Sequence, residues 1–213
     1  MIKILIVDDH PVVRKGLKQI MEETKNITVV DEAETGQEVL KKVKKNKYDV
    51  VLLDISLPDM NGLEVLRALK SEYPEINVLM LSIYPEEQYA MRALRGGASG
   101  YLTKEKLPDE LVLAIKTVTQ GRKYITPSVA ELLAINIEKD RIGLPHEVLS
   151  DREFRIMCMM ASGKTASDIA DELSLSVKTV STYRYRILKK MKMKNNAEII
   201  RYVIEQKLID VRG

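Results

Sequence analysis

The feature that most constrains this chain is an alternation repeated five times within its first 120 residues. Short aliphatic or β-branched runs, IKILIV (2–7), ITVVDEA (27–33), YDVVLLD (48–54), INVLMLS (76–82) and GYLT (100–103), are each followed by a stretch of helical periodicity. Those stretches lie at 11–23, 36–46, 62–72, 86–95 and 108–119. Strand alternating with helix demands a parallel sheet, because parallel strands need crossovers and the crossover helices cover both faces. Right-handed crossovers reduce the arrangements to a doubly wound one. The spacing therefore predicts a five-stranded, doubly wound parallel sheet of α/β class, with any site beyond the carboxyl ends of its strands.

Those ends carry unusual residues. Asp8 and Asp9 close the first run, Asp54 the third and Ser82 the fourth, while Lys104 follows the fifth. YDVVLLD is the sharpest case, a run apolar enough for burial that stops on a charge. Singly, an aspartate at a strand end is a cap or turn residue, and Asp8 and Asp9 could cap a helix beginning near Pro11. Together the ends bring three carboxylates, a hydroxyl and an ammonium to one edge. Three carboxylates within a few ångströms do not all stay charged without a proton or a cation. Hard oxygen donors on loops suit Mg²⁺, at about 2.1 Å. Such an ion beside a free carboxylate suits phosphoryl transfer, with the carboxylate as nucleophile and Lys104 against the anion. His10 is read as solvent-facing or packing rather than as a phosphate carrier or ligand.

The strings VDDH, LLDISLPDMNGLE, LS and GYLTK resemble the receiver domain of two-component response regulators, over all of residues 1–120. The resemblance implies a flavodoxin-like fold with Asp54 as phosphoacceptor, and Pro58 and Gly62 fall at the family's later positions. It places Mg²⁺ on Asp9, Asp54 and the backbone carbonyl of Ser56, with Asp8 holding a metal-bound water. It makes Ser82 the hydroxyl switch, Tyr101 the aromatic switch and Lys104 the lysine. On phosphorylation Ser82 is expected to move onto a phosphoryl oxygen and Tyr101 to turn inward into the space it leaves. One departure stands out: Glu105 occupies the position after the lysine, where the family often has proline.

From 121 to 147 the alternation stops. This segment reads as a linker with one short helix over about 127–138, begun by Thr126 and Pro127 and followed by KDRIGLPHEV. Residues 148–213 then read as a second, all-α domain of four helices. Ser150 with Glu153 is a capping box; TASDIADEL, LSLS and VKTVSTYRYRILKKM form helix, turn and longer basic helix; NAEIIRYVIEQ closes the set. Two helices about a tight turn, the second basic, signal a helix-turn-helix. LSDRE, GKTASDIADELSLSVKTVSTYRYRILKKM and NNAEIIRYVI resemble the output domain of the LuxR, NarL and FixJ regulators. That resemblance implies DNA as partner. Lys178, Ser181, Thr182, Tyr185 and Lys189 share one helical stripe able to enter a major groove about 12 Å wide. Ser181, Thr182 and Tyr185 are the expected base readers. Lys164, Thr165, Lys178, Thr179, Arg186 and Lys190 are the expected phosphate contacts, which fix register rather than sequence. Tyr183 stands where the family often has histidine.

Charge supports this split. Net charge is +3, but residues 1–120 hold 17 Lys and Arg against 19 Asp and Glu, whereas 148–213 hold 13 against 8. A basic tail behind an acidic front favours a nucleic-acid partner. The single cysteine, Cys158, excludes an intramolecular disulfide or a cysteine zinc site and reads as core. No apolar run approaches 18 residues and no signal peptide is evident, so a cytoplasmic protein without membrane contact is expected. The combined expectation is a phosphorylation-dependent DNA-binding transcription regulator, fed by a sensor histidine kinase and dimerising when phosphorylated, and not an enzyme. Two other classes compete: a Mg²⁺-dependent phosphotransfer enzyme, and a signalling module with a protein- or RNA-binding helical output.

Overall fold

The structure, a computed structural model, describes residues 1–139 and 144–209. It forms two compact units, Met1–Ala130 and Glu131–Gly213. The first holds β1 (Ile2–Val7), α1 (Pro11–Glu22), β2 (Ile27–Ala33), α2 (Gly36–Lys45), β3 (Val50–Asp54), α3 (Gly62–Glu72), β4 (Asn77–Ser82), α4 (Glu86–Arg95), β5 (Gly100–Thr103) and α5 (Leu107–Thr119). The strands are parallel in the order β2-β1-β3-β4-β5. This is the doubly wound α/β sheet that the alternation predicts. Strand order reverses at β1, which opens a crevice at the carboxyl ends of β1 and β3.

Register decides what meets in that crevice. Val7 lies opposite Leu53, so Asp8 and Asp54 leave adjacent strands at one level. Asp54 pairs with Leu81, and Ser82 pairs with Thr103, the residue before Lys104. All five residues of β3 are buried, as a strand covered on both faces must be. Ile4, Ile6, Leu17, Leu52, Leu81, Leu111 and Ile115 build the core on the α1 and α5 side. The helices begin where local chemistry directs: Pro11 in the first turn of α1, Thr35 capping α2 and Asn61 capping α3.

Residues 121–130 differ from the linker reading. They pack as part of the first unit: Tyr124 bridges to Gly100, its N–H donates to the Ser99 carbonyl at 2.8 Å and its hydroxyl donates to Glu110 at 3.0 Å. Thr126 donates to Glu86, buried in the first turn of α4, at 2.9 Å. A β-branched and aromatic patch, YIT, gains more by docking on β5 than by staying solvated. The predicted short helix is α6 (Pro127–Lys139), and a 3₁₀ turn, Pro145–Val148, follows within the segment read as loose. Residues 140–143 of that segment, Gly143 among them, lie outside the described residues, as do 210–213.

The second unit contains α7 (Asp151–Ala161), α8 (Ala166–Glu172), α9 (Val177–Met191) and α10 (Asn196–Glu205), the four helices expected. Phe154, Ile156, Met157, Ile169, Val180, Ile187, Ile199 and Val203 are buried together with Cys158. Leu188 is half-buried. Capping boxes open α7 (Ser150/Glu153) and α8 (Thr165/Asp168), and Ser176 caps α9. Among the described residues no helix is long and apolar enough to cross a membrane.

Glu153 does more than cap. Its carboxylate accepts from Ser150 N at 2.8 Å and from Lys190 Nζ at 2.7 Å, tying α7 to α9. Burial works to raise its pKa, but Lys190 and the Ser150 donors outweigh it, so the pKa is lowered. A lowered carboxylate pKa stabilises the fold above the ordinary value of 4.5 and loses that contribution as pH falls below it. Glu153→Gln should therefore cost the helical unit about 1 kcal/mol at neutral pH. In urea unfolding, the gap from wild type should close as pH drops through the ordinary glutamate range; a gap independent of pH would contradict this.

Candidate functional site

The crevice at the ends of β1 and β3 gathers the acidic residues. Asp8 is fully buried and Asp54 nearly so. Asp9 keeps about a third of its side chain exposed. Lys104 reaches in from beyond β5, its Nζ 2.6 Å from Asp8 Oδ2 and 3.0 Å from Asp54 Oδ2. Asp8 Oδ1 accepts from the His10 N–H at 2.9 Å. The His10 ring, largely exposed, sets Nδ1 2.6 Å from Asp9 Oδ1, so it lies against the carboxylates while facing solvent. All peptide bonds among the described residues are trans, including Lys104–Glu105.

Two effects compete at Asp54. Burial raises its pKa, Lys104 pulls it down and Asp8 pushes it up; the net direction is upward. Lys104 balances the other way: burial lowers its pKa, but Asp54 and Asp8 outweigh that and raise it. Asp8, Asp9 and Asp54 with Lys104 sum to −2 when all are ionised. Asp8, Asp9 and His10 offer ligand atoms within 4.8 Å of one another. Oxygen donors with a deficit of two charges, one carboxylate open to solvent, fit a hard divalent cation such as Mg²⁺.

The loop after β3 is fixed from several sides. Ser56 N–H donates to the Asp54 carboxylate, and Gly62 N–H donates to the Ile55 carbonyl at 2.8 Å. The Asp59 carboxylate accepts from Gly36 N at 2.8 Å and Gln37 N at 3.0 Å, fastening the loop to the start of α2. The Ser56 hydroxyl is buried without a hydrogen-bond partner among the described residues. Gly62 has no room for a side chain, since a Cβ would lie 2.1 Å from the Asp54 carbonyl oxygen.

Ser82 is buried at the end of β4, and its Oγ accepts from the Tyr84 N–H at 2.9 Å. Tyr101 donates its hydroxyl to the Tyr84 carbonyl at 2.9 Å, and burial raises its pKa. The Tyr101 ring is buried, 1% exposed. Asp59, Arg14 and the Glu86–Thr126 contact escaped sequence reading. Apart from the Arg14 bond to the Asp8 carbonyl, the contacts that fix them reach partners 18 to 40 residues away, and an isolated charge on an amphipathic helix or loop looks solvated.

On α9, Lys178, Ser181, Thr182, Tyr185, Arg186 and Lys189 are all exposed, Tyr185 at 66%. Ser181 and Thr182 donate their hydroxyls back to the Val177 and Lys178 carbonyls, each at 3.0 Å. Four other candidates have intramolecular partners. Thr179 is half-buried, with its hydroxyl 2.8 Å from that of Ser176. Lys190 pairs with Glu153, Lys164 with Glu172, and Thr165 caps α8. Arg186 stacks over the Tyr183 ring at 5.8 Å.

Comparison with known proteins agrees with both halves. The family model described as response regulator receiver domain matches residues 4–116, and that of bacterial regulatory proteins, luxR family, matches 147–203. Response regulator UvrY of Escherichia coli (strain K12) is 37% identical over 209 residues, covering 98% of this chain and 96% of that one. Response regulator GacA of Pseudomonas syringae pv. syringae is 37% identical over 211 residues, covering 99% of each. Among solved structures, response regulator ChrA of a heme-sensing two-component system is 34% identical with a TM-score of 0.52, covering 98% of each chain. The response regulator RcsB in complex with DNA has a TM-score of 0.60 at 24% identity, covering 95% of this chain and 98% of that one, a likeness of fold.

Two glycines test the packing. Gly62→Ala should displace the Asp54 carbonyl and lower stability by about 1–3 kcal/mol. Gly16→Ala, in the open middle of α1 with nothing within 4 Å, should instead stabilise by about 0.5–1 kcal/mol. Chemical denaturation of both variants gives the two signs; equal effects would contradict the crowding at Gly62.

Proposed function

Because this chain belongs to the response regulators that join a receiver domain to a LuxR-type DNA-binding domain, we propose that Asp54 accepts a phosphoryl group and that this modification controls promoter binding. The protein is a transcription regulator, not a turnover enzyme, which sets aside the phosphotransferase alternative. One observation carries the Asp54 assignment: a half-buried ammonium, Lys104, held jointly by Asp8 and Asp54 at a strand-end crevice.

Asp9, Asp54 and the Ser56 carbonyl would hold Mg²⁺, with Asp8 acting through a water. The ion supplies charge neutralisation for phosphoryl oxygens. An Asp54 carboxylate oxygen attacks phosphorus on a phosphohistidine of a partner kinase; the new O–P bond forms as the N–P bond breaks and the imidazole leaves. Lys104, tethered by Asp8, pairs with one phosphoryl oxygen. The Ser82 hydroxyl exchanges its Tyr84 contact for another. The added charge is roughly −2, with three acceptor oxygens.

Relay runs through the β4–α4 loop. Tyr84 takes part in the Ser82, Tyr101 and Tyr89 contacts at once. Movement of Ser82 therefore alters the Tyr84 backbone, and with it the start of α4 where Glu86 meets Thr126. The buried Tyr101 ring exchanges its hydroxyl contact as Tyr84 moves. Two copies paired by this change would place two α9 helices on adjacent half-sites, with Ser181, Thr182 and Tyr185 toward the bases and Lys178, Arg186 and Lys189 beside them. Lys164, Thr165, Thr179 and Lys190 contribute by leaving or sharing their present partners.

Beryllofluoride with Mg²⁺ mimics the phosphorylated aspartate. In sedimentation, wild type should shift to a dimer and Asp54→Ala should not. Gel-shift affinity for promoter DNA should then rise with beryllofluoride and fall steeply with salt. An equal response from Asp54→Ala, or binding indifferent to salt, would contradict the respective half of the proposal.

A further inference from the structure

Arg14 is a charged residue that the phosphotransfer chemistry does not use, yet its side chain is only 11% exposed. From the first turn of α1 its guanidinium reaches three acceptors. Nη1 donates to the Asp8 carbonyl at 2.7 Å within the interior. Nε donates to Glu32 at 3.0 Å, and Nη2 to Glu34 at 2.5 Å. Lys18 also pairs with Glu32. The four charges Arg14, Lys18, Glu32 and Glu34 cancel, so the group places little net field on the acid pocket. Whatever Arg14 does for the pocket, it does through geometry.

That geometry is specific. β1 ends at Val7, and the Asp8 N–H makes one further rung, to the Ala33 carbonyl at 3.1 Å. Beyond that rung the Asp8 carbonyl turns to the guanidinium, while the Asp8 carboxylate accepts from His10 N. The carbonyl lies in the Asp8–Asp9 peptide plane, so holding it holds the direction in which Asp9 departs. We propose that Arg14 is a positioning residue for the acid pocket: by pinning the Asp8 carbonyl it sets the spacing between the Asp8 and Asp9 carboxylates, and thereby the affinity for a divalent cation. This inference rests on the Mg²⁺ reading of that pocket. A lysine would keep the charge but offers no planar fork to hold a carbonyl and two carboxylates together.

Calorimetric titration of the full chain with MgCl₂ tests this, alongside phosphorylation by acetyl phosphate. Arg14→Met should raise the Mg²⁺ dissociation constant about tenfold, as loss of a group that orients metal ligands does. High Mg²⁺ should then restore most of its phosphorylation rate, a recovery that a damaged fold would not give. Arg14→Lys should show the same weakening should Arg14→Met fail to fold. Met21→Ala, in the core at the far end of α1, should lose melting temperature yet keep wild-type Mg²⁺ affinity. Wild-type affinity in both Arg14 variants, or equal loss in Met21→Ala, would overturn the positioning role. A wild-type chain that binds no Mg²⁺ would remove the pocket reading itself, and this inference with it.

Discussion

The structure depends on one ammonium shared by two buried carboxylates. Lys104 between Asp8 and Asp54 joins the ends of three strands that are separate in sequence. Removing either charge type would leave the other buried and unpaired, which is far costlier than the pair itself is stabilising. The pair therefore reads as a poised element rather than a stabilising one. In the proposed phosphotransfer its ammonium would pass to a phosphoryl oxygen without leaving the crevice.

Register turns this contact into a site. A one-residue slip of β3 against β1 would send Asp54 to the opposite face of the sheet. Both faces of β3 are covered, so what opposes such a slip is the cost of turning the Asp54 carboxylate into apolar packing away from Lys104. The close approach of Gly62 to the Asp54 carbonyl and the grip of Asp59 on α2 hold the following loop at the same level. The core packing thus serves to aim carboxylates, and the strap of residues 121–126 on β5 extends the same frame towards α6.

Much of this was legible in the chain. Hydrophobic period places the five strands, the four crossover helices and α5 within one or two residues of the structure, because burial on two faces leaves little freedom. The strand-end positions of Asp8, Asp54, Ser82 and Lys104 follow directly from it. Ser150 with Glu153 announces the cap of α7. What stayed hidden depends on distant partners. The docking of Tyr124 on Gly100 needs β5 already in place, the three bonds of Arg14 need both β1 and β2, and the link from Lys190 to Glu153 needs α7 against α9. None of these pairings can be read from composition or spacing. The buried bond from the Tyr101 hydroxyl to the Tyr84 carbonyl is of the same kind, since it needs β5 beside the β4–α4 loop.

The most direct test of the central claim is chemical. After phosphorylation by acetyl phosphate, borohydride reduction converts an acyl phosphate on aspartate to homoserine, and peptide mass spectrometry locates it. The account predicts conversion at residue 54 alone, dependent on Mg²⁺ and sharply reduced in Lys104→Ala. Conversion at Asp8 or Asp9, or at residue 54 with the metal chelated, would contradict it.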